Sequence, residues 1–144
     1  MKIAIIATAI ACAFVAATSA LPTDSGPAGE IVGDIDPDDL AGTQCTTAGG
    51  KTLGYIPGGN FAALSDVYMN GTLAVQNCGK CVKATTKSTN GSVPKSMVFT
   101  VIGNCEGCAD NSFFTHPTTL AKLTNPNERF VDDAIWSFVP CPVA

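Results

Sequence analysis

The pattern of apolar and polar positions divides the chain into three stretches of different character. Ile3 to Ala17 is an almost unbroken apolar run, preceded by Lys2 and followed by the small residues Thr18-Ser19-Ala20. Leu21 to Gln44 is rich in Pro, Gly and Asp and shows little periodicity, so a flexible leader is expected there. From Cys45 onward the apolar residues fall in short runs of strand length. Met97-Val98-Phe99-Thr100-Val101-Ile102 and Ala134-Ile135-Trp136-Ser137-Phe138-Val139 carry the β-branched and aromatic residues that suit a pleated, half-buried surface. Asn70-Gly71 and Asn90-Gly91 mark turns. Two short helices are predicted, over Ala62–Met69 and Pro117–Leu123. Pro117 suits a first helical position, with Thr115 or His116 at its cap. The expectation is an all-β domain with one or two short helices.

The apolar N-terminal run changes the picture of the whole chain. A positive start, a short apolar core and small residues at its end are the pattern of a secretory signal over residues 1–20. The run is too short for a comfortable membrane span. About 124 residues then remain, enough for one domain over residues 45–144 behind the acidic leader of 21–44. Loss of Cys12 with the signal leaves Cys45, Cys78, Cys81, Cys105, Cys108 and Cys141. An even set in an oxidising compartment argues for disulfides. Cys78-Gly79-Lys80-Cys81 and Cys105-Glu106-Gly107-Cys108 also have the C-x2-C spacing of zinc ligands. Export favours oxidation, so no metal is expected. The leader holds six acids and no base, whereas Cys45 onward holds six acids against seven scattered bases. No basic stripe of the kind that tracks a phosphate backbone is present, which argues against a nucleic-acid partner. Asn70-Gly71-Thr72 and Asn90-Gly91-Ser92 are sequons, making Asn70 and Asn90 glycosylation candidates.

Five segments, in order over about 85 residues, resemble the expansin-like (RlpA-like) family, which includes loosenin, barwin and endoglucanase-45-like relatives. Asn60-Phe61-Ala62-Ala63-Leu64-Ser65 is similar to its "AALS" segment, and Asn77-Cys78-Gly79-Lys80-Cys81 to its "CGxC". Val101-Ile102-Gly103-Asn104-Cys105-Glu106-Gly107-Cys108 resembles "V-x-D-x-C-x-G-C". Pro117–Leu123 looks like the helix after the family's "DLS", and Ile135–Val143 like its closing "W-x-x-V-P-C-P-V" strand. The resemblance implies a six-stranded double-psi β-barrel. It also implies the pairs Cys45–Cys78 and Cys81–Cys141, leaving Cys105 with Cys108. Six cysteines by themselves allow fifteen connectivities.

Function turns on a departure from that family. Hydrolytic members set two carboxylates across a groove, one to protonate the leaving oxygen and one to activate water. Here the "V-x-D" position corresponds to Gly103 and the "DLS" Asp to Phe114, and neither side chain transfers a proton. No enzyme activity is therefore expected. Asp110, four residues before Phe114, returns to the groove only if the intervening chain loops differently, and one carboxylate does not satisfy the two-group mechanism. His116 is the only histidine, with no G-x-S-x-G elbow or free thiol to complete a nucleophilic triad. Tyr55, Asn104, Asp110, Phe113, Phe114, Thr115 and His116 are the candidates for lining a ligand groove. Trp136 and Phe61 read instead as core. Expansins often carry a second, carbohydrate-binding domain. This sequence stops at Ala144, so any polymer contact is expected to use the barrel itself. The resulting expectation is a secreted, monomeric, cofactor-free protein that binds and loosens cell-wall polysaccharide, glucan or chitin. The alternatives are a protein-binding module, inhibitor- or elicitor-like, that presents a loop such as Tyr55–Gly59, and an endoglucanase-45-like hydrolase.

Overall fold

In the computed structural model the described residues are 26–33, 45–54, 59–87 and 93–143. Tyr55, Asn90, the expected signal and most of the expected leader lie outside them. Six strands close into a barrel: β1 (Ala28–Gly33), β2 (Phe61–Ser65), β3 (Cys81–Thr85), β4 (Ser96–Cys105), β5 (Phe113–Thr115) and β6 (Phe130–Val139), in the spatial order β1-β5-β2-β4-β3-β6. Three short helices decorate it: α1 (Asp66–Met69), α2 (Thr72–Asn77) and α3 (Pro117–Leu123).

The strand order has an internal symmetry. Advancing every label by three turns β1 into β4, β2 into β5 and β3 into β6, and each pairing lands on another. The parallel pair β1·β5 maps onto β4·β2, and the antiparallel pair β1·β6 onto β4·β3. The two antiparallel seams β2·β5 and β3·β6 map onto themselves. Two interleaved three-strand halves, each contributing to both parallel pairs, give the double-psi barrel. Closure leaves the sheet without a long exposed edge.

β1 corrects the expected domain boundary. Residues 28–33, expected in the acidic leader, form a barrel strand between β5 and β6, with Ile31 fully buried. Its glycines serve close approach rather than flexibility. A Cβ on Gly29 would fall onto the backbone carbonyl of Asn111, and one on Gly33 would meet the Leu120 side chain and the Pro117 backbone.

The predicted helix over Ala62–Met69 is strand in its first half and helix in its second. All five residues of Phe61–Ser65 are buried, because β2 runs between β4 and β5 with both faces covered. A short, continuously apolar run of this kind fits a doubly covered strand as well as a helix. Ser65, extended at φ −63° and ψ 161°, ends the strand, and the helix occupies only Asp66–Met69. Gly71, at φ 54°, turns the chain from α1 into α2, so the Asn70-Gly71 turn joins helices and not strands. α3 forms over Pro117–Leu123 with Pro117 in its first turn. Its cap is His116, whose Nδ1 accepts the Thr118 backbone N–H at 3.2 Å.

The barrel interior holds Ile31, Ala62, Leu64, Val82, Ala84, Phe99, Val101, Phe113, Leu120 and Trp136. Trp136 is its largest side chain and meets Tyr68, Phe138 and Phe113 edge-on, at ring-centre distances of 4.9, 5.9 and 6.0 Å. Its indole N–H donates to the carbonyl of Asn111 at 2.6 Å, so burial of the ring leaves no donor stranded. Asn111 sits in the left-handed region at φ 63° and also accepts the Tyr68 hydroxyl on Oδ1 at 2.5 Å. One turn residue thereby ties α1 and β6 together.

Disulfides join Cys45 to Cys78, Cys81 to Cys141 and Cys105 to Cys108. The first fastens the segment before β2 to the end of α2. The second ties the start of β3 to the chain beyond β6. The third closes the turn after β4. With these six sulfurs bonded, no cysteine among the described residues offers a thiolate to a metal ion.

Candidate functional site

Strand alternation decides which candidate side chains share a face. On β5, Phe113 and Thr115 point inward and are fully buried, whereas Phe114 points out and is half-buried. Successive residues of a strand face opposite sides, so Phe113, Phe114 and Thr115 do not line one groove. Phe113 packs edge-on against Phe99 with ring centres 5.2 Å apart, and the Thr115 hydroxyl donates to the Phe61 carbonyl at 2.7 Å. Both are core residues. Contrary to expectation, neither lines a groove.

Phe114 belongs to a second apolar cluster on the outer face of β2, β4 and β5. Phe61, Ala63, Ile102 and Cys105 are its buried members, with Leu53, Cys108 and Phe114 packed against them. A register shift builds this face. Ala62 pairs with Val101 but Ala63 pairs with Gly103, so Ile102 is an extra residue in β4. Such a bulge re-aims side chains locally, and Ile102 joins the outer cluster. The covering segment is held by the hydrogen bond from Cys45 N–H to the Ile102 carbonyl (2.8 Å) and by that from Leu53 N–H to the Cys45 carbonyl (2.8 Å).

Polar groups surround this cluster. Asn104 Nδ2 donates to Asp66 Oδ1 at 2.7 Å. Asn104 Oδ1 and the fully buried Ser65 Oγ have no hydrogen-bond partner among the described residues. Beyond its capping bond, His116 Nδ1 lies 2.8 Å from the Thr118 hydroxyl, and Lys122 Nζ donates to Asn60 Oδ1 at 3.2 Å. Asp110 is exposed in the turn before Asn111, where its charge bears on Tyr68. The Tyr68 phenol is held above its ordinary pKa of 10.0, first by burial and then by that neighbouring carboxylate. Asp66 is the residue that sequence reasoning missed. Its only signal is its position directly after the "AALS" segment; the bond to Asn104 of β4 is made from the first residue of α1, just past the end of β2.

A second surface is apolar and exposed. Val67 in α1 and Leu73 and Val75 in α2 are exposed by 49, 41 and 49%. Their corner is fixed by the Cys45–Cys78 disulfide and by Asn77 Nδ2, which donates to the Tyr68 carbonyl at 2.8 Å. Asn70, one of the two glycosylation candidates, is exposed at the same corner.

No helix among the described residues is long and apolar enough to cross a membrane. No protein-family model matches the chain, and no curated protein matches it. Among solved structures the chain is similar to a Streptomyces papain inhibitor, with a TM-score of 0.55 and 18% sequence identity over 83% of this chain and 99% of the inhibitor. At that identity the likeness establishes a shared fold.

Proposed function

We propose that this chain is an exported, non-enzymatic binding module whose partner is a protein. The observation that carries the reading is the α1–α2 corner, where three aliphatic side chains face solvent on a disulfide-fixed scaffold. Exposed apolar side chains offer area that a partner can bury, and a rigid scaffold binds without first losing conformational freedom. The similarity to a papain inhibitor supports a protein as the ligand class. The outer face of β2, β4 and β5 supports a mechanism without bond cleavage. The positions matching the family's carboxylates are Gly103 and Phe114, and Phe114 packs on an apolar floor. Asp66 there is tied to Asn104. Hydrolysis by inversion needs a proton donor and a base on opposite sides of the sugar.

A second reading, polysaccharide binding of the expansin or loosenin type, draws on the half-buried Phe114 ring, which offers an apolar surface to a pyranose. One set of measurements separates the two. The protein is titrated against papain-type cysteine proteases and, in parallel, pelleted with insoluble cellulose and chitin. Protease binding that falls at least about tenfold in Leu73→Asp/Val75→Asp is expected, a loss of roughly 1.4 kcal/mol. Pelleting with either polymer and no protease binding would transfer the assignment to the second reading. Release of reducing sugar, abolished by Asp110→Asn, would sink both.

A further inference from the structure

We propose that the open flank of β6 accepts an extended, acidic segment of a partner protein as an added strand. This surface is distinct from the α1–α2 corner and stands without it. β6 is a ten-residue strand whose two sides are paired unequally. Toward β1 it is paired from Phe130 to Ile135, and toward β3 only from Ile135 to Val139. On the β3 side, residues 130–134 therefore have no ladder partner among the described residues.

β3 stops short for a visible reason. Beyond Thr85, which faces Ile135, the Thr86 N–H turns to the Lys95 carbonyl at 2.9 Å, and the Lys95 N–H returns to the Thr86 hydroxyl at 3.0 Å. The chain has closed on its own hairpin and no longer follows β6. Among the described residues the Lys87–Asp133 ion pair, 3.3 Å long, spans the gap. What opens is a cleft of about 880 Å³, with Lys87, Val93, Lys95, Arg129, Phe130 and Asp132 among its walls. Val93 and Phe130 are 81 and 53% exposed.

The charges select the occupant. Lys87 is engaged by Asp133, and the Glu128 carboxylate is engaged by the backbone and side-chain nitrogens of Asn125. Lys95 Nζ, the Arg129 guanidinium and the Asp132 carboxylate have no partner among the described residues. The unspent balance is positive, in a chain whose net charge is −4. An incoming strand supplies backbone partners to the free side of β6, carboxylates to Lys95 and Arg129, and an apolar side chain to Phe130 and Val93. Strand addition to an exposed sheet edge is an established mode of peptide recognition, with main-chain bonds giving affinity and alternate side chains giving specificity. Asp133, in the left-handed region at φ 55°, lies where β6 sets an extra residue against Glu30 of β1. This bulge limits the open ladder to Phe130–Asp132, so the added strand is short.

The test uses the intact, disulfide-bonded protein. A random heptapeptide display library is selected on it and counter-selected on Lys95→Glu/Arg129→Glu, whose side chains are exposed and make no bond among the described residues. Heptamers rich in Asp or Glu and in β-branched residues are expected. A synthetic winner should slow exchange by about tenfold or more at those amides of Phe130–Asp132 that point away from β1. Its backbone N-methylated form should not. The double variant, once its amide spectrum shows the native fold, should bind about tenfold more weakly. No enrichment over background, equal binding of the N-methylated peptide, or protection confined to other amides would overturn the proposal. So would protection of these amides by cellohexaose or chitohexaose in place of the peptide.

Discussion

Asn111 offers a measurement in which two contributions separate cleanly. Its backbone is left-handed at φ 63°, its Oδ1 accepts the Tyr68 hydroxyl, and its carbonyl accepts the Trp136 indole. Asn111→Ala keeps the carbonyl bond but loses the other two features. A β-carbon without a compensating side-chain bond costs about 1 kcal/mol in the left-handed region. The hydroxyl bond contributes about 1 kcal/mol more. A loss of about 2 kcal/mol follows, equivalent to a fall in Tm of roughly 8–12 °C for a domain of this size. Asn111→Gly adopts the same φ without strain and should lose only about 1 kcal/mol, as should Tyr68→Phe. The double variant Tyr68→Phe/Asn111→Gly removes the same bond twice, so its loss should also stay near 1 kcal/mol, with a coupling of about 1 kcal/mol. Urea denaturation with the disulfides intact reads all four variants. Equal losses for Asn111→Gly and Asn111→Ala would refute the backbone argument, and additivity of the two single losses would refute the shared bond.

Three further outcomes follow from features of the same barrel. A chain starting at Cys45 lacks β1 and should show no dispersed amide spectrum, while Ile31→Ala in the full chain should cost about 2–5 kcal/mol. Stability should decline as pH rises above 10, because the Tyr68 pKa is raised in the folded state. The unfolded chain then releases its proton first, so the contribution present below pH 10 is lost as pH climbs toward the folded value; Tyr68→Phe should flatten that decline in alkaline denaturation curves. Replacing Cys81 and Cys141 by Ala opens a 60-residue separation and should cost about 4 kcal/mol on the chain-entropy model, against about 1.5 kcal/mol for Cys105 and Cys108, only three apart. Equal losses for the two pairs would contradict that account.

What could be read from the residues, and what could not, has physical causes. Met97–Ile102 and Ala134–Val139 were legible because β-branched and aromatic residues dominate them, and both lie inside observed strands. α3 was legible from Pro117. β1 was hidden by its composition, since Gly29 and Gly33 look like loop punctuation but are there to admit Asn111 and Leu120. Ala62–Leu64 was ambiguous because burial on both faces erases the period that distinguishes strand from helix. The candidate site suffered from reading Phe113, Phe114 and Thr115 as a block, when β5 sends only the middle one outward. Phe114 is legible only through a family motif, and its surroundings are apolar side chains from two neighbouring strands, β2 and β4.

The interleaving of the two halves has a consequence for how the molecule comes into being. β1 is the earliest strand made, and both of its neighbours, β5 and β6, are the last. No partial chain emerging from a ribosome contains a finished barrel, and the first strand waits until the sixth has been made. Maturation is therefore a single late event, slowed by the long loops that must close. A protein built this way stays an open thread until its last strand is made, and takes its shape only then.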